Sequence, residues 1–319
     1  MHGHLMSVDG TVSDATGDAI RQSIASGSYF WLDLIDLDDE GSDLLTNAFH
    51  FHPLAVEDAE HFGQRPKVED YDDFFYLVVA GAEPSGEGTV EVHCFYSEKF
   101  LVTIERGQCS QFDDVRTRAS LRRQQGGGSN IMLLYRIIDA LIDSFFPVLS
   151  RFDEQIDSLE DDILAQPTEE QLGTLFTMKR DLVALRKVIT PQRDMFANLA
   201  SAESGLPGMT PDAERYFRDL YDHLIRISDL VDSYRDLLSG AMDTHLSTVS
   251  NRLNQVMKQL TIIATIFLPL SFVTGFFGQN FGWMVNHITG WGTFLGLGIG
   301  LQIAVTVGLL VMFRRRNWL

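Results

Sequence analysis

From Gln259 through Phe313 the chain carries no Asp, Glu, Lys or Arg. Two long apolar runs fill this stretch, and only residues 280–290 interrupt them with polar and turn-forming side chains. About 20 apolar residues suffice for a helix to cross hydrocarbon. The pattern therefore predicts two membrane spans joined by a short connection on the far side. Upstream the pattern is that of a folded domain. Residues 29–35, 74–80, 90–96 and 99–105 are rich in aromatic and branched side chains and read as strands. The last three are closely spaced and are expected to pair antiparallel. Residues 44–62 read as a helix kinked at Pro53.

After the triple glycine at 126–128 the period changes. Ile131, Leu134, Ile138, Leu141, Phe145 and Leu149 recur at helical spacing, which predicts one helix over residues 131–166 that Pro167 stops. Thr168 is a candidate N-cap with Gln171 at the capping-box position. A second helix is expected to run to about residue 200 with a bend at Pro191. Residues 212–277 then hold one proline, Pro269, and Gly240 is the only glycine before Gly275. One helix of that length would extend about 100 Å, first as a stalk and then as the first span. Pro269 would kink the span, as membrane helices tolerate. Along the second span, Gly292, Gly296, Gly300, Ala304 and Gly308 recur every four residues. Small residues at that spacing let helices approach closely, so this face is expected to meet the first span of its own or a neighbouring chain.

Charge sharpens the division. All 44 acidic residues precede Gln259, and three of the 25 basic ones, Arg314, Arg315 and Arg316, follow it. Such an acidic domain argues against nucleic acid, whose phosphates require Lys and Arg, and suits one bathed in cations. Residues 1–10 have no basic region or apolar core, so no signal peptide is expected. Arg252 and Lys258 precede the first span, the arginine triplet follows the second, and the connection has no Lys or Arg. The positive-inside rule then puts both termini in the cytoplasm of a cell that holds the protein in its inner membrane. Cys94 and Cys109 form neither a disulfide framework nor a metal motif. No nucleophile–base pair or phosphate loop suggests an enzyme.

Two spans cannot enclose an aqueous path, yet Asn254, Met257, Leu260, Ala264, Leu268, Ser271 and Gly275 lie at steps of three and four on one face of the first span. At the axis of a symmetric ring the polar ends would meet water and ions, and the apolar middle would form constrictions able to dewet.

Residues 250–270, followed by Thr274-Gly275 and Gly278-Gln279-Asn280-Phe281, closely resemble the first span and mouth of the CorA family of divalent-cation channels. Residues 52–58, 64–69, 216–223 and the ending at 314–319 resemble further family segments, so the likeness covers the chain beyond about residue 30. The resemblance implies an α+β cytoplasmic domain followed by a long stalk helix and two transmembrane α-helices, assembled as a homopentameric funnel in the bilayer. It implies domains at 1–205, 211–277, 278–290, 291–313 and 314–319. The resemblance also implies Mg2+ uptake, with Co2+ and Ni2+ as further cargo, closed by cytosolic Mg2+. Gly278 and Asn280 would form the selectivity filter. Asn254, Met257, Leu260, Leu268 and Ser271 would line the pore. Asp58 and Asp219, with Glu57 nearby, would form a regulatory metal site across a subunit interface, and Asp243 an acidic ring. The family signature is Gly-Met-Asn, and Gln279 replaces its Met. The adjoining loop lacks the acidic residue common there and carries His287 instead. The middle position also varies in the zinc-transporting ZntB branch, so ZntB-like Zn2+ transport is the second reading. A membrane-anchored scaffold or sensor that conducts nothing is the third.

Overall fold

A computed structural model describes residues 2–86, 88–107, 109–124, 129–200, 205–279, 281–288, 290–316 and 318. The chain divides into two compact units, Met1–Asp162 with Thr168–Met242, and Ile163–Pro167 with Asp243–Leu319.

The first unit is built on a seven-stranded sheet of order β2-β1-β3-β7-β6-β5-β4. Its strands are β1 (His2–Met6), β2 (Val12–Asp14), β3 (Phe30–Ile35), β4 (Lys67–Asp70), β5 (Phe75–Ala82), β6 (Thr89–Tyr96) and β7 (Phe100–Glu105). The β5–β6 and β6–β7 pairs are antiparallel, as the short connections require, whereas β3 runs parallel to β7. Strands β1, β2 and β4 escape the hydropathy reading because they are short or half polar. Every residue of β3 and β5 is buried, because both faces of the sheet are covered. On one face, Phe30, Leu32 and Leu34 join Leu44, Leu45, Phe51, Ala55 and Val56 in one core. The last five come from α2 (Asp39–Asn47), α3 (Pro53–Glu60) and the connection between them, and α1 (Gly17–Ser26) adds Ile20. The kinked helix expected over residues 44–62 is thus two helices. His50 takes φ 58° between them, and Pro53 opens α3 at its first turn, where its missing N–H costs nothing.

On the other face, Asp33 accepts from Thr103 Oγ1 at 2.7 Å and pairs with Arg116 of α4 (Gln111–Gln124) at 2.5 Å. Helix α5 (Asn130–Asp143) presses against β5. A Cβ at Gly81 would come within 2.8 Å of the Leu141 carbonyl oxygen, so only glycine admits α5 this closely. The single helix expected over residues 131–166 breaks at Ser144 into α5 and α6 (Phe145–Ala165). At the break, Ser144 Oγ donates to Leu141 O at 2.5 Å and accepts from Ala82 N at 2.7 Å. Thr168 and Gln171 form the anticipated capping box of α7 (Glu169–Leu199), which carries Pro191 inside it.

Strand β4 pairs only with the first half of β5, leaving the rest of that edge to side chains. Gln192 of α7 accepts from Ala80 N at 2.7 Å and donates to Ala80 O at 3.0 Å. Gln111 donates to Ala82 O at 3.0 Å. These amides stand where a neighbouring strand would, and close an edge open to wrong pairing.

Helix α8 (Pro211–Phe277) is one element of 67 residues with Pro269 inside it. In the first unit it runs antiparallel to α7, tied by Arg186–Asp232 at 3.3 Å and by Arg193 to Ser228 at 3.3 Å. In the second unit follow α9 (Gly282–His287), α10 (Trp291–Thr293), a π-helical stretch (Phe294–Gly300) and α11 (Leu301–Arg315). Pro211–Phe277 and Trp291–Arg315 are each long and apolar enough to cross a membrane.

Gln192→Leu strands two buried backbone groups, each worth about 1–3 kcal/mol when unsatisfied. Unfolding of the purified protein is expected to move to lower temperature and lower denaturant. An unchanged midpoint would show that the glutamine does not hold this edge.

Candidate ion path and cation cluster

Within the second unit, α8 presents two distinct faces. Ile262, Ile266, Pro269, Val273 and Phe277 are half-buried. The matching residues of the second span are Gln302, Val305, Thr306 and Leu309, half-buried, and Phe313, buried. Gln302 Nε2 donates to Thr274 Oγ1 at 3.0 Å and ties the two spans together. Met257, Leu260 and Leu268 are 53%, 59% and 75% exposed, and Asn254, Ala264, Ser271 and Gly275 are also exposed. At about 100° per residue the exposed stripe centres roughly 170° from the covered face. The candidate pore residues therefore point away from the second span of the same chain. The hydroxyls of Thr261, Thr274 and Thr306 each donate to the carbonyl four residues back. Among the described residues Asn254 and Ser271 make no such bond, so in a membrane they require water or another chain.

The small-residue stripe of the second span does not face the first span of its own chain. Gly292, Gly296, Gly300, Ala304 and Gly308 are all exposed, and a Cβ at Gly292, Gly296 or Gly308 would meet nothing within 4 Å. The π-helical stretch adds a residue to the turn there. This shifts the face that the four-residue spacing would present, and the bulkier Gln302, Val305 and Leu309 make the contact instead.

At the candidate mouth, Gly278 N donates to Thr274 O at 2.9 Å, and Phe281 N to Gln279 O at 2.8 Å. A Cβ at Gly278 would lie 3.1 Å from the Thr274 carbonyl oxygen, tighter than most side chains accept. Asn280 lies outside the described residues. His287 makes an Nδ1 contact of 3.0 Å to the Trp283 carbonyl and stacks on the Trp283 ring at 4.8 Å. This ties it into the connection between the spans.

In the first unit, the candidate regulatory residues lie in two groups. Asp58, on α3, accepts from Lys67 Nζ at 2.6 Å, and Glu69 accepts from the same ammonium at 2.7 Å. Burial favours neutral Lys67, yet hydrogen bonds to Asp58 and Glu69 outweigh it and raise the lysine pKa. Glu57 is exposed one residue earlier. Asp219, on α8, is exposed and stands 3.9 Å from His223 Nε2. His223 Nδ1 in turn lies 3.3 Å from Asp143. Among the described residues no hydrogen bond or ion pair joins Asp58 to Asp219 within one chain. Asp243 is exposed on α8 at the start of the second unit.

The sequence reading did not single out Asp139, Asp143 and His223, whose ligand atoms lie within 4.8 Å of one another. Burial and then the Asp143 charge raise the Asp139 pKa, which marks negative potential that a cation would relieve. Asp139 and Asp143 stand four apart on α5, as Asp219 and His223 do on α8. That paired spacing was the available signal. Carboxylates suit Mg2+, and an imidazole favours softer ions.

A family model described as CorA-like Mg2+ transporter protein matches residues 26–315. The chain is 36% identical to the cobalt/magnesium transport protein CorA of Thermotoga maritima over 85% of this chain and 78% of that one. It is 26% identical to the zinc transport protein ZntB of Yersinia enterocolitica, over 80% of this chain and 77% of that one. Its fold is similar to the complete structure of the CorA magnesium transporter from Methanocaldococcus jannaschii. That similarity has a TM-score of 0.82 at 22% identity and covers 100% of this chain and 99% of that one.

Lys67→Gln leaves Asp58 without its ammonium. The expected result is tighter divalent-cation binding to the α3 carboxylates, with half-saturation about two- to fivefold lower, as one partly exposed ion pair permits. Co2+ titration of wild-type and variant protein reads it. Equal or weaker binding would show that Asp58 holds no cation.

Proposed function

The chain belongs to the CorA-like Mg2+ transporter family, which transports divalent metal cations, and from that premise we propose that it forms a homopentameric Mg2+ channel closed by cytosolic Mg2+. The observation that carries this reading is the exposed stripe of α8 opposite the second span. In a ring of five chains that stripe would surround the axis, with Asn254 and Ser271 toward water and Met257, Leu260 and Leu268 as closable constrictions. The second spans would form the outer ring in lipid, and both termini would lie in the cytoplasm.

Mg2+ sheds water reluctantly. A ring of Asn280 amides and Gly278 carbonyls would hydrogen-bond the hydrated ion at the mouth without trapping it. A ring of carboxylates would bind more tightly and release more slowly. Asp243 would gather cations at the cytoplasmic end. Asp58 of one chain would face Asp219 of the next, with Glu57 nearby. When cytosolic Mg2+ is high, the ion would bridge them, displacing Lys67 from Asp58, and hold the closed ring by mass action. Co2+ and Ni2+ would share the path.

A second reading is Zn2+ transport. It is supported by Gln279 in the filter, by His287 in an acid-free loop, and by likeness to a zinc transport protein.

Proteoliposomes loaded with an ion-sensitive dye separate the readings. Mg2+ influx without a proton gradient is the expected outcome. Zn2+ flux that requires protons would support the second reading, and absence of divalent flux would leave a non-conducting scaffold. Asn280→Ala should abolish Mg2+ flux, and unchanged flux would remove the filter assignment. Asp58→Ala with Asp219→Ala should lose Mg2+-dependent protection from protease. Equal protection in wild type and double variant would move the sensor elsewhere.

A further inference from the structure

The connector between α3 and β4 is held by a series of buried polar side chains that lie outside the ion path. Strand register sets Lys67, Val78 and His93 in one row across β4, β5 and β6, and Glu69, Tyr76 and Phe95 in the next. Alternate residues of a strand share a face, so Lys67, Tyr76, Glu91 and His93 rise from the same side of the sheet. Tyr76 and His93 are fully buried there, and Tyr76 OH lies 2.5 Å from His93 Nδ1. His93 Nε2 stands 2.9 Å from Glu91 Oε1, off the line of a hydrogen bond. At the other end of the series, the Lys67 ammonium sits 5.3 Å from the centre of the Tyr76 ring.

Glu91 grips the backbone of the connector. Gly63 N donates to its Oε2 at 2.8 Å, and Gln64 N donates to its Oε1 at 3.1 Å. Burial favours neutral Glu91, yet His93 and the two backbone N–H groups outweigh it and lower its pKa, so both oxygens accept. Gly63 takes φ 103° at this point, a conformation open to glycine. The neighbouring Phe62 sets its ring edge-on to His93 at 4.7 Å, with Arg106 Cζ 4.5 Å from the ring centre. The same connector links the two partners of the α3 ion pair. Asp58 and Lys67 are nine positions apart in sequence and 2.6 Å apart in space. A slack connector would leave Lys67 more conformations in which it is off Asp58, and a clamped one removes them.

We propose that Glu91, braced by His93 and Tyr76, is a positioning residue that clamps the 61–66 connector, keeps Lys67 on Asp58, and so sets the cation concentration at which the lysine gives way. This rests on Asp58 as a regulatory cation site and adds what tunes it. Glu91 touches no cation. It acts through Lys67 alone, by holding the connector in the one arrangement that keeps the ammonium between Asp58, Glu69 and the Tyr76 ring.

The test combines Co2+ titration and hydrogen exchange on the full-length protein in lipid nanodiscs. Glu91→Gln keeps the side-chain shape but leaves one acceptor oxygen for two N–H groups. Exchange across residues 61–66 should quicken, and the Co2+ half-saturation should fall about twofold, no further than in Lys67→Gln. Tyr76→Phe, which deletes one hydroxyl, should shift it the same way by less. Glu91→Gln combined with Lys67→Gln should bind as Lys67→Gln alone does, because the clamp acts through the lysine. A damaged fold would weaken binding, so a gain in affinity reads positioning. Unchanged exchange at 61–66, unchanged or weaker Co2+ binding in Glu91→Gln, or additive shifts in the double variant each overturn the clamp. Asp58→Asn separates the two levels. If it leaves the titration unchanged, the cation site itself fails and the proposal with it. If it removes binding while Glu91→Gln shifts nothing, the clamp alone is wrong.

Discussion

In hydrocarbon no peptide group can be left unpaired, and a helix is how a single segment meets that demand alone. Helix α8 meets it while changing character along its length. In the first unit its buried residues, Phe217, Leu220, Leu224, Ile227 and Val231, form a core stripe against α7 and its neighbours. Beyond Met242 that stripe fades, and from Gln259 onward apolar side chains surround the helix. The backbone constraint explains the continuous helix and why Pro269 can sit within it. It also explains why polar groups in the spans bond to their own helix, to the other span, or require water.

The same constraint separates the faces. Gln302 reaching Thr274 spends one polar side chain of the second span on the first. The opposite face keeps Asn254 and Ser271 without protein partners among the described residues. A lone helix with such a face is poorly suited to lipid, and closing several around an axis, as proposed, would turn that defect into a wet lining. The carboxylates of the first unit follow a related logic. Asp58 is neutralised by Lys67 within its own chain, while Asp139 and Asp143 repel each other beside His223. One group must exchange a partner to bind a cation. The other, where Asp139 has Tyr135 and Asp143 has His223 beside it, would have its mutual repulsion relieved by a cation.

Much of this was legible in the sequence. The charge-free stretch revealed both spans, and the step-of-three-and-four stripe revealed the face that remains uncovered. The Thr168–Gln171 capping box was readable because it depends on neighbours in sequence. What failed depended on distant partners. Ser144, at the break between α5 and α6, accepts a hydrogen bond from Ala82 far back in the chain, and the parallel β3–β7 pair joins strands about 70 residues apart. Pro53 read as a kink because only the folded chain shows the turn at His50 before it. The glycine stripe does not meet the first span of its own chain because the π-helical turn changes which side chains face it, which leaves the stripe for a neighbouring chain. Asp139 and Asp143 were not singled out, because only the fold brings α5 and α8 together at His223.

The central claim is that the exposed stripe of α8 faces water in the assembled protein. Cys94 and Cys109 are buried and burial pushes their thiols up, Cys109 to about 12, so neither competes for a thiol reagent. The decisive measurement is the labelling rate of Ala264→Cys and Ser271→Cys by a charged, membrane-impermeant thiosulfonate, beside Ile303→Cys on the exposed side of the second span. The account predicts fast labelling of the two stripe cysteines, with loss of divalent flux, and slow labelling of the third. Equal, slow labelling of all three would place the stripe in lipid and contradict it.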